Sequence, residues 1–368
     1  MKKNVALYPF CAEFLPIVKH FDKLQDKYSL SRLFSPRGLG LTGMDAGYAC
    51  NQDDVGLIVS DLNELHESSW EILFVTKTEY TEIDDEENKL IDIIDCTLEA
   101  GREVYYFVRN KEDISDTISN YTDVYPTKLR FFMEDKGIMK KKAVYERYGK
   151  VKTPVVLVGG LNAEADVLEV LSQLVLKMHE DGIRTVVLTK HPIGSVFGFN
   201  SLGFIFNNTR LLESEKITEA NIYTRNVEAT EMPDVILVEA PDAVMQFNDF
   251  DPNGFGIQTY MLCQALPIDY FICCIPCDLG VGAFIKAISD DFSNRFGVPI
   301  STIHVSNLFI DSVDLLQSYK LSYARANLSI VHAQLAKEKA HSEIPMYDVI
   351  RDGVDELYNS LAIRRGED

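Results

Sequence analysis

Short apolar runs alternate with longer stretches of helical spacing along the first half of the chain. Residues 4–8 (NVALY), 30–35, 55–60, 71–76 and 103–108 are predicted strands. Helical spacing over 11–28 follows the first of them, and a helix over about 86–100 precedes the last and stops at Gly101, as a C-cap should. Strands alternating with helices predict a parallel sheet covered on both faces. The first strand is followed by Pro9-Phe10-Cys11-Ala12 rather than a Gly-x-Gly-x-x-Gly turn, so the expected fold is Rossmann-like without the dinucleotide fingerprint. Gly38, Gly40, Gly43 and Gly47 form a loop that reads either as turn glycines or as a ligand-binding loop. Residues 110–152 are less regular and include a basic stretch at 139–142. The expected boundary lies near Lys150, giving domains 1–150 and 151–368.

The second half is more regular. Strands are predicted at 154–158 (PVVLV), 184–189 (RTVVLT), 235–239 (VILVE), 270–275 (YFICCI) and 300–305. Helices are predicted at about 164–181, 213–228, 256–265 and 282–296, and a tail of two more at about 323–339 and 346–363. The nearly unbroken apolar strands fit a sheet buried on both faces. Strand, glycine turn and helix at 154–181 is the frame of a phosphate loop, in which backbone N–H groups and a lysine hold the phosphates. The segment Gly159-Gly160-Leu161-Asn162-Ala163-Glu164-Ala165-Asp166-Val167 has no lysine: aligning Gly160 with the first motif glycine puts Asp166 in its place, and starting from Gly159 puts Ala165 there and Asp166 at the Ser/Thr. Glu164 and Asp166 would each oppose a phosphate by ~1–4 kcal/mol at contact distance. Ordinary ATP hydrolysis here is not expected. The alternative role for these residues is local, with Asn162 capping the helix and the two acids favouring its positive end.

Composition adjusts this picture in two ways. At 368 residues the chain is long enough for two cores. Its formal charge of -20 disfavours nucleic acid and anionic lipid as partners and leaves a basic peptide, a basic protein face, or solubility alone as the reason for the acidity. No apolar stretch approaches the ~20 residues of a membrane span, and no signal segment is expected. With seven cysteines, an odd number, the expectation is a cytoplasmic protein with reduced thiols.

Other residues offer chemistry. Glu239 ends the strand that would carry the Walker B acid, and with Asp242 it could orient a metal or water; both positions are equally those of ordinary strand ends. Cys273, Cys274 and Cys277 give a Cys-x-x-Cys spacing, which reads as buried structural thiols or as a reactive thiol at the crevice rim; no second pair and no nearby His completes a metal site. His179 and His191 come without the nucleophile and acid of a catalytic arrangement. The candidate binding residues are therefore Gly159, Gly160, Asn162, Glu239 and Asp242, with no catalytic residue and no metal ligand assigned.

Several segments together resemble a known family. They are Pro154-Val155-Val156-Leu157-Val158-Gly159-Gly160-Leu161, Gly198-Phe199-Asn200-Ser201, Pro233-Asp234-Val235-Ile236, the opening Ala6-Leu7-Tyr8-Pro9-Phe10, and Ser35-Pro36-Arg37-Gly38-Leu39-Gly40. In these the chain resembles the peptide maturation system proteins, accessory proteins of bacterial clusters that make ribosomally synthesised, modified peptides. The resemblance runs over most of the chain and implies a precursor peptide or a radical SAM modifying enzyme as partner. Where that family tends to carry Gly-Phe-His-Ser this chain has Asn200, so no role for that His carries over. More distantly, the second half resembles the dethiobiotin synthetase and MinD-like P-loop proteins, which implies a homodimer. Three expectations follow. One is an accessory protein without normal P-loop ATPase activity and without a cofactor; the alternative is an ATP- or GTP-binding enzyme or switch. A small-ligand site near Gly38–Gly47 is a third.

Overall fold

The computed structural model describes residues 2–67, 69–76, 84–133, 144–162, 165–246, 253–279, 282–311, 323–339 and 342–361. Glu164, the basic stretch 139–142 and the end of the last predicted helix lie outside them. The chain is α/β and divides into two compact units. One is Met1–Asp135 with His191–Phe204; the other is Lys136–Lys190 with Ile205–Asp368.

In the first unit the strands β1 (Lys3–Tyr8), β2 (Tyr28–Phe34), β3 (Val59–Ser60), β4 (Ile72–Thr76), β5 (Glu103–Val108) and β6 (Leu129–Met133) are all parallel. Their order, β3-β2-β1-β4-β5-β6, is that of a doubly wound Rossmann sheet. Helix α1 (Leu15–Leu24) begins with Pro16 in its first turn, where the missing N–H costs nothing. Helix α2 (Asp84–Glu99) stops at Gly101, whose φ of 81° lets its N–H reach the Leu98 carbonyl. The α2 face Leu90, Ile93, Ile94 and Leu98 packs with Tyr8, Leu73, Val75 and Tyr106 in one buried core. The region that reads as irregular contains helix α3 (Asp116–Val124) and β6, an edge strand too short and mixed to show a period. The Gly38–Gly47 loop is organised by Asp45, which accepts the N–H groups of Gly47, Val55 and Gly56 at 2.8–2.9 Å. Those bonds hold its carboxyl below the usual range although desolvation pushes the other way. The second segment of this unit carries a two-residue strand, β9 (Asn200–Ser201).

In the second unit β7 (Val155–Gly160), β8 (Thr185–Thr189), β10 (Val235–Glu239), β11 (Tyr270–Ile275), β12 (Thr302–Val305) and β15 (Met346–Tyr347) run parallel in the order β15-β12-β11-β7-β10-β8. A hairpin of β13 (Leu308–Ile310) and β14 (Tyr323–Arg325) stands apart from them. The helices are α4 (Val167–Glu180), α5 (Glu213–Glu231), α6 (Ile257–Ala265), α7 (Gly282–Phe296) and α8 (Leu328–Glu338). Tyr323–Arg325 and Met346–Tyr347, which read as parts of tail helices, are strands. Asn327 starts α8 only afterwards, its side chain accepting the Ser329 N–H at 2.9 Å. After β15 the predicted single helix is two short ones, broken at Gly353 with φ 76°. Among the described residues no helix is long and apolar enough to cross a membrane.

Residues 144–153, on the N-terminal side of the expected boundary or spanning it, pack on α5. Asn226 accepts the Val144 and Tyr145 N–H groups at 2.8 and 2.9 Å and donates to the Tyr145 carbonyl at 3.0 Å. Asn221 accepts from Gly149 N–H at 2.9 Å and donates to its carbonyl at 2.8 Å. Glu228 accepts the Lys152 and Thr153 N–H groups at 2.8 and 2.7 Å. This polar ladder explains why α5 shows little amphipathic pattern: part of its inner face binds main chain rather than apolar side chains.

Candidate functional site

The crossover from β7 leads through α4 to β8 on one side, whereas that from β11 leads through α7 to β12 on the other. β7 and β11 are neighbours, so their carboxyl ends form the topological switch point at which such sheets keep their crevice. Gly159 and Gly160 end β7 there, opposite Cys273 and Cys274. Both glycines answer to close packing within the chain. A Cβ on Gly159 would fall 2.6 Å from Val244 Cγ1, and one on Gly160 would fall 2.4 Å from the Asn162 carbonyl oxygen. The next amide, Leu161 N–H, is taken by the Cys274 carbonyl at 3.0 Å. A phosphate loop needs amides that point outward to an anion, and this one has turned in to the sheet.

Helix α4 starts at Val167, three residues later than the sequence pattern implies, and the residue at its cap position is Asp166 rather than Asn162. Asp166 has φ 59° and ψ 24°, and its side chain makes no capping bond. The left-handed turn directs the carboxylate elsewhere. Arg325 of β14 donates to Oδ1 at 3.3 Å, and the Ser306 hydroxyl donates to Oδ2. His304 of β12 stands with Nε2 3.7 Å from Oδ2, within ion-pair range but too long for a good hydrogen bond. Val349 N–H donates to His304 Nδ1 at 3.2 Å, which assigns the ring proton to Nε2, on the Asp166 side. Arg325 also donates to Asn307 Oδ1 at 2.8 Å, and Ser306 Oγ accepts the Leu308 N–H at 3.1 Å. The Asp166 side chain is 6 % exposed and that of Arg325 is 13 %. Burial alone would raise the Asp166 pKa, but the Arg325 charge, with His304 and Ser306, outweighs it and holds the carboxyl well below the usual range. Asp348, buried and close enough to feel His304 and Asp166, is shifted upward by desolvation first; its Oδ1 accepts the Arg351 N–H at 3.2 Å.

The lysine position of the phosphate loop thus holds an ionised carboxylate that has already taken up an arginine, a hydroxyl and the side of an imidazole. A phosphate placed 4 Å from Asp166 would meet a repulsion of ~4 kcal/mol at an effective dielectric of 20. Of the other predicted residues, Asn162 is 2 % exposed, and neither its Oδ1 nor its Nδ2 has a hydrogen-bond partner among the described residues. Glu239 is buried at the end of β10, where it accepts the Thr189 hydroxyl and the Lys190 N–H, the latter at 3.2 Å. Asp242 accepts Thr259 N–H at 3.0 Å, Thr259 Oγ1–H at 2.7 Å and Gln258 N–H at 3.3 Å, and so serves the start of α6. The two acids expected to work together are each engaged with a neighbouring element.

Cys273, Cys274 and Cys277 are buried free thiols. Burial pushes Cys273 up to about 12 and Cys277 up to about 11, with Cys274 also raised. Among the described residues no three His, Cys, Asp or Glu side chains gather to hold a metal. His179 is exposed; His191, in the first unit, lies 3.6 Å from Glu13 and edge-on to the Phe14 ring. Arg325, His304 and Ser306 were not singled out by sequence reasoning. Their one signal is the polar His304, Ser306 and Asn307 interrupting an apolar strand, a pattern that reads equally as a strand end.

The fold defined here is a Rossmann-like unit together with a parallel-sheet unit of phosphate-loop layout. A solved DUF1611 family protein from Anabaena variabilis is similar over 99% of this chain and 100% of its own, with a TM-score of 0.65 and 10% identity, a likeness of fold alone. Cobyrinic acid a,c-diamide synthase from Mycobacterium smegmatis, solved with ADP and magnesium, aligns with 57% of this chain and 93% of its own at a TM-score of 0.32 and 12% identity. No protein-family model and no curated protein matches the chain.

Proposed function

We propose that this protein is an accessory protein of ribosomal-peptide maturation that binds a precursor peptide or its radical SAM modifying enzyme and does not hydrolyse nucleotide at its phosphate loop. The observation that carries the second half of this reading is the Asp166–Arg325 pair: the loop's own carboxylate occupies the cation and donors that a phosphate would need. The family resemblance and the charge of -20, suited to a basic peptide or protein face, support the first half. In this reading the protein acts in the cytoplasm as a homodimer. Affinity purification from a host that carries the gene cluster tests it directly. Recovery of a precursor peptide or the modifying enzyme is the expected result, and recovery of neither counts against the reading.

The alternative is a switch that binds ATP or GTP without the motif lysine. It is favoured by one observation, the buried and unpartnered amide of Asn162 beside the loop. Calorimetric titration with ATP, GTP and Mg²⁺ separates the two. Absence of heat at millimolar nucleotide leaves the accessory reading; saturable binding that fails in Asn162→Ala supports the switch.

A further inference from the structure

A hollow of about 420 Å³ lies on the second unit, lined by Val144, Tyr145, Glu146, Arg147, Tyr148 and Arg225. Among the lining groups is the guanidinium of Arg225, held from several directions. Cζ sits 3.8 Å over the Tyr145 ring, and Nη1 donates to the Arg147 carbonyl at 2.7 Å. Gly149 leaves the room it needs, since a Cβ there would fall 2.5 Å from Nη1 and 2.7 Å from Cζ. The strap that supplies Tyr145 and Gly149 is in turn fixed to α5 by Asn226 and Asn221. The arginine is therefore pre-organised, with little rotamer freedom left to lose when it binds something.

What it binds within the protein is unusual. The chain has 56 acidic residues against 36 basic ones, yet among the described residues no carboxylate pairs with Arg225 or with Arg147. The Nε–H of Arg225 is sealed from solvent without an acceptor, so its desolvated charge has no compensation there. A rigid guanidinium whose Nη2 makes no bond among the described residues can donate to a carboxylate oxygen by a charge-assisted hydrogen bond. Charge points the same way. Arg225 and Arg147 against Glu146 leave a single net positive charge in the hollow, which suits a monoanion better than a phosphate dianion. Tyr148, 56 % exposed and fixed by its hydroxyl on the Gln264 carbonyl at 2.9 Å, gives an apolar wall for the body of the ligand.

We propose that this hollow is a binding site for a carboxylate monoanion, with Arg225 as its anchor and Tyr148 against the apolar part of the ligand. The proposal is independent of the reading of the phosphate loop. The test is calorimetric titration of the full chain with N-acetylphenylalanine, with its C-terminal amide, and with inorganic phosphate. The carboxylate binds at least about tenfold more tightly than the amide or phosphate, and R225Q abolishes that preference. Because Arg225 also packs the strap, E146Q provides a second reading at an exposed rim position. Removing its opposing charge tightens the carboxylate about two- to threefold. Equal binding of carboxylate and amide, preference for phosphate, or no saturation in either wild type or E146Q overturns the proposal.

Discussion

Replacing Asp166 by alanine removes the carboxylate from beside a partly buried Arg325 and the Ser306 hydroxyl. At 3.3 Å the ion pair corresponds to a gross attraction of ~5 kcal/mol at an effective dielectric of 20, much of it offset by desolvation. Removing one member of such a pair strands the other, and the usual cost is ~3–5 kcal/mol. Alanine at φ 59° adds about 1 kcal/mol, because it tolerates the left-handed region less well than aspartate. Asp166→Asn keeps the shape, the turn and an acceptor, so its cost is about half that of alanine. Urea unfolding followed by far-UV circular dichroism reads these losses. With a slope of ~2–3 kcal/mol/M, a loss of ~4–5 kcal/mol lowers the midpoint of the transition by ~2 M. The sign of the pH dependence is fixed by the depressed pKa. The stabilisation is complete above the unfolded carboxylate range and fades as pH falls below about 4 towards the folded pKa, so wild type and D166A converge there. Replacing Arg325 by methionine in the D166A background recovers much of the loss, because both charges are then gone. An alanine variant within about 1 kcal/mol of wild type at pH 7, or a difference that does not shrink in acid, would refute the account of the pair.

Phosphate at tens of millimolar raises the thermal midpoint of Asp166→Gly but not of wild type, since the vacated position regains an anion; equal shifts in both would contradict self-occupancy. Gly159→Ala costs ~1–3 kcal/mol through the 2.6 Å approach to Val244 Cγ1, and adding Val244→Ala restores part of it in the same urea assay. Asp242→Ala costs ~1–2 kcal/mol by freeing the first amides of α6, measurable as increased hydrogen exchange at Gln258 and Thr259. With Cys277 at about 11, roughly one thiol in a thousand is ionised at pH 8, so iodoacetamide labels Cys273, Cys274 and Cys277 only after denaturant is added.

Much of the fold was legible because β7, β10 and β11 are buried on both faces and therefore read as unbroken apolar runs. Gly101 and Pro233-Asp234 marked element ends for local reasons that any sequence displays. The short edge strands were not legible: three residues at Tyr323–Arg325 and two at Met346–Tyr347 carry no period, and the helix-forming residues after them dominate the pattern. The same misreading hid the site. Arg325 lies 159 residues from Asp166 and falls within the predicted tail helix over 323–339, so nothing local could show that the missing cation had been supplied from a hairpin and turned against the loop's own acid. The start of α4 shifted for the related reason that Asp166 serves Arg325 instead of the helix end.

Helix α5 holds the strap mostly through main-chain atoms, Arg225 on the Tyr145 ring being the side-chain exception. Asn221, Asn226 and Glu228 touch N–H and C=O groups from Val144 to Thr153, and Arg225 constrains the identity of Gly149 and Tyr145. Such an attachment is indifferent to most of the other side chains it carries. The strap therefore behaves as an insert in a fixed socket, and Val144, Glu146 and Arg147 can diverge, or be redesigned, to alter what the hollow accepts while Tyr145 and Gly149 keep Arg225 in place.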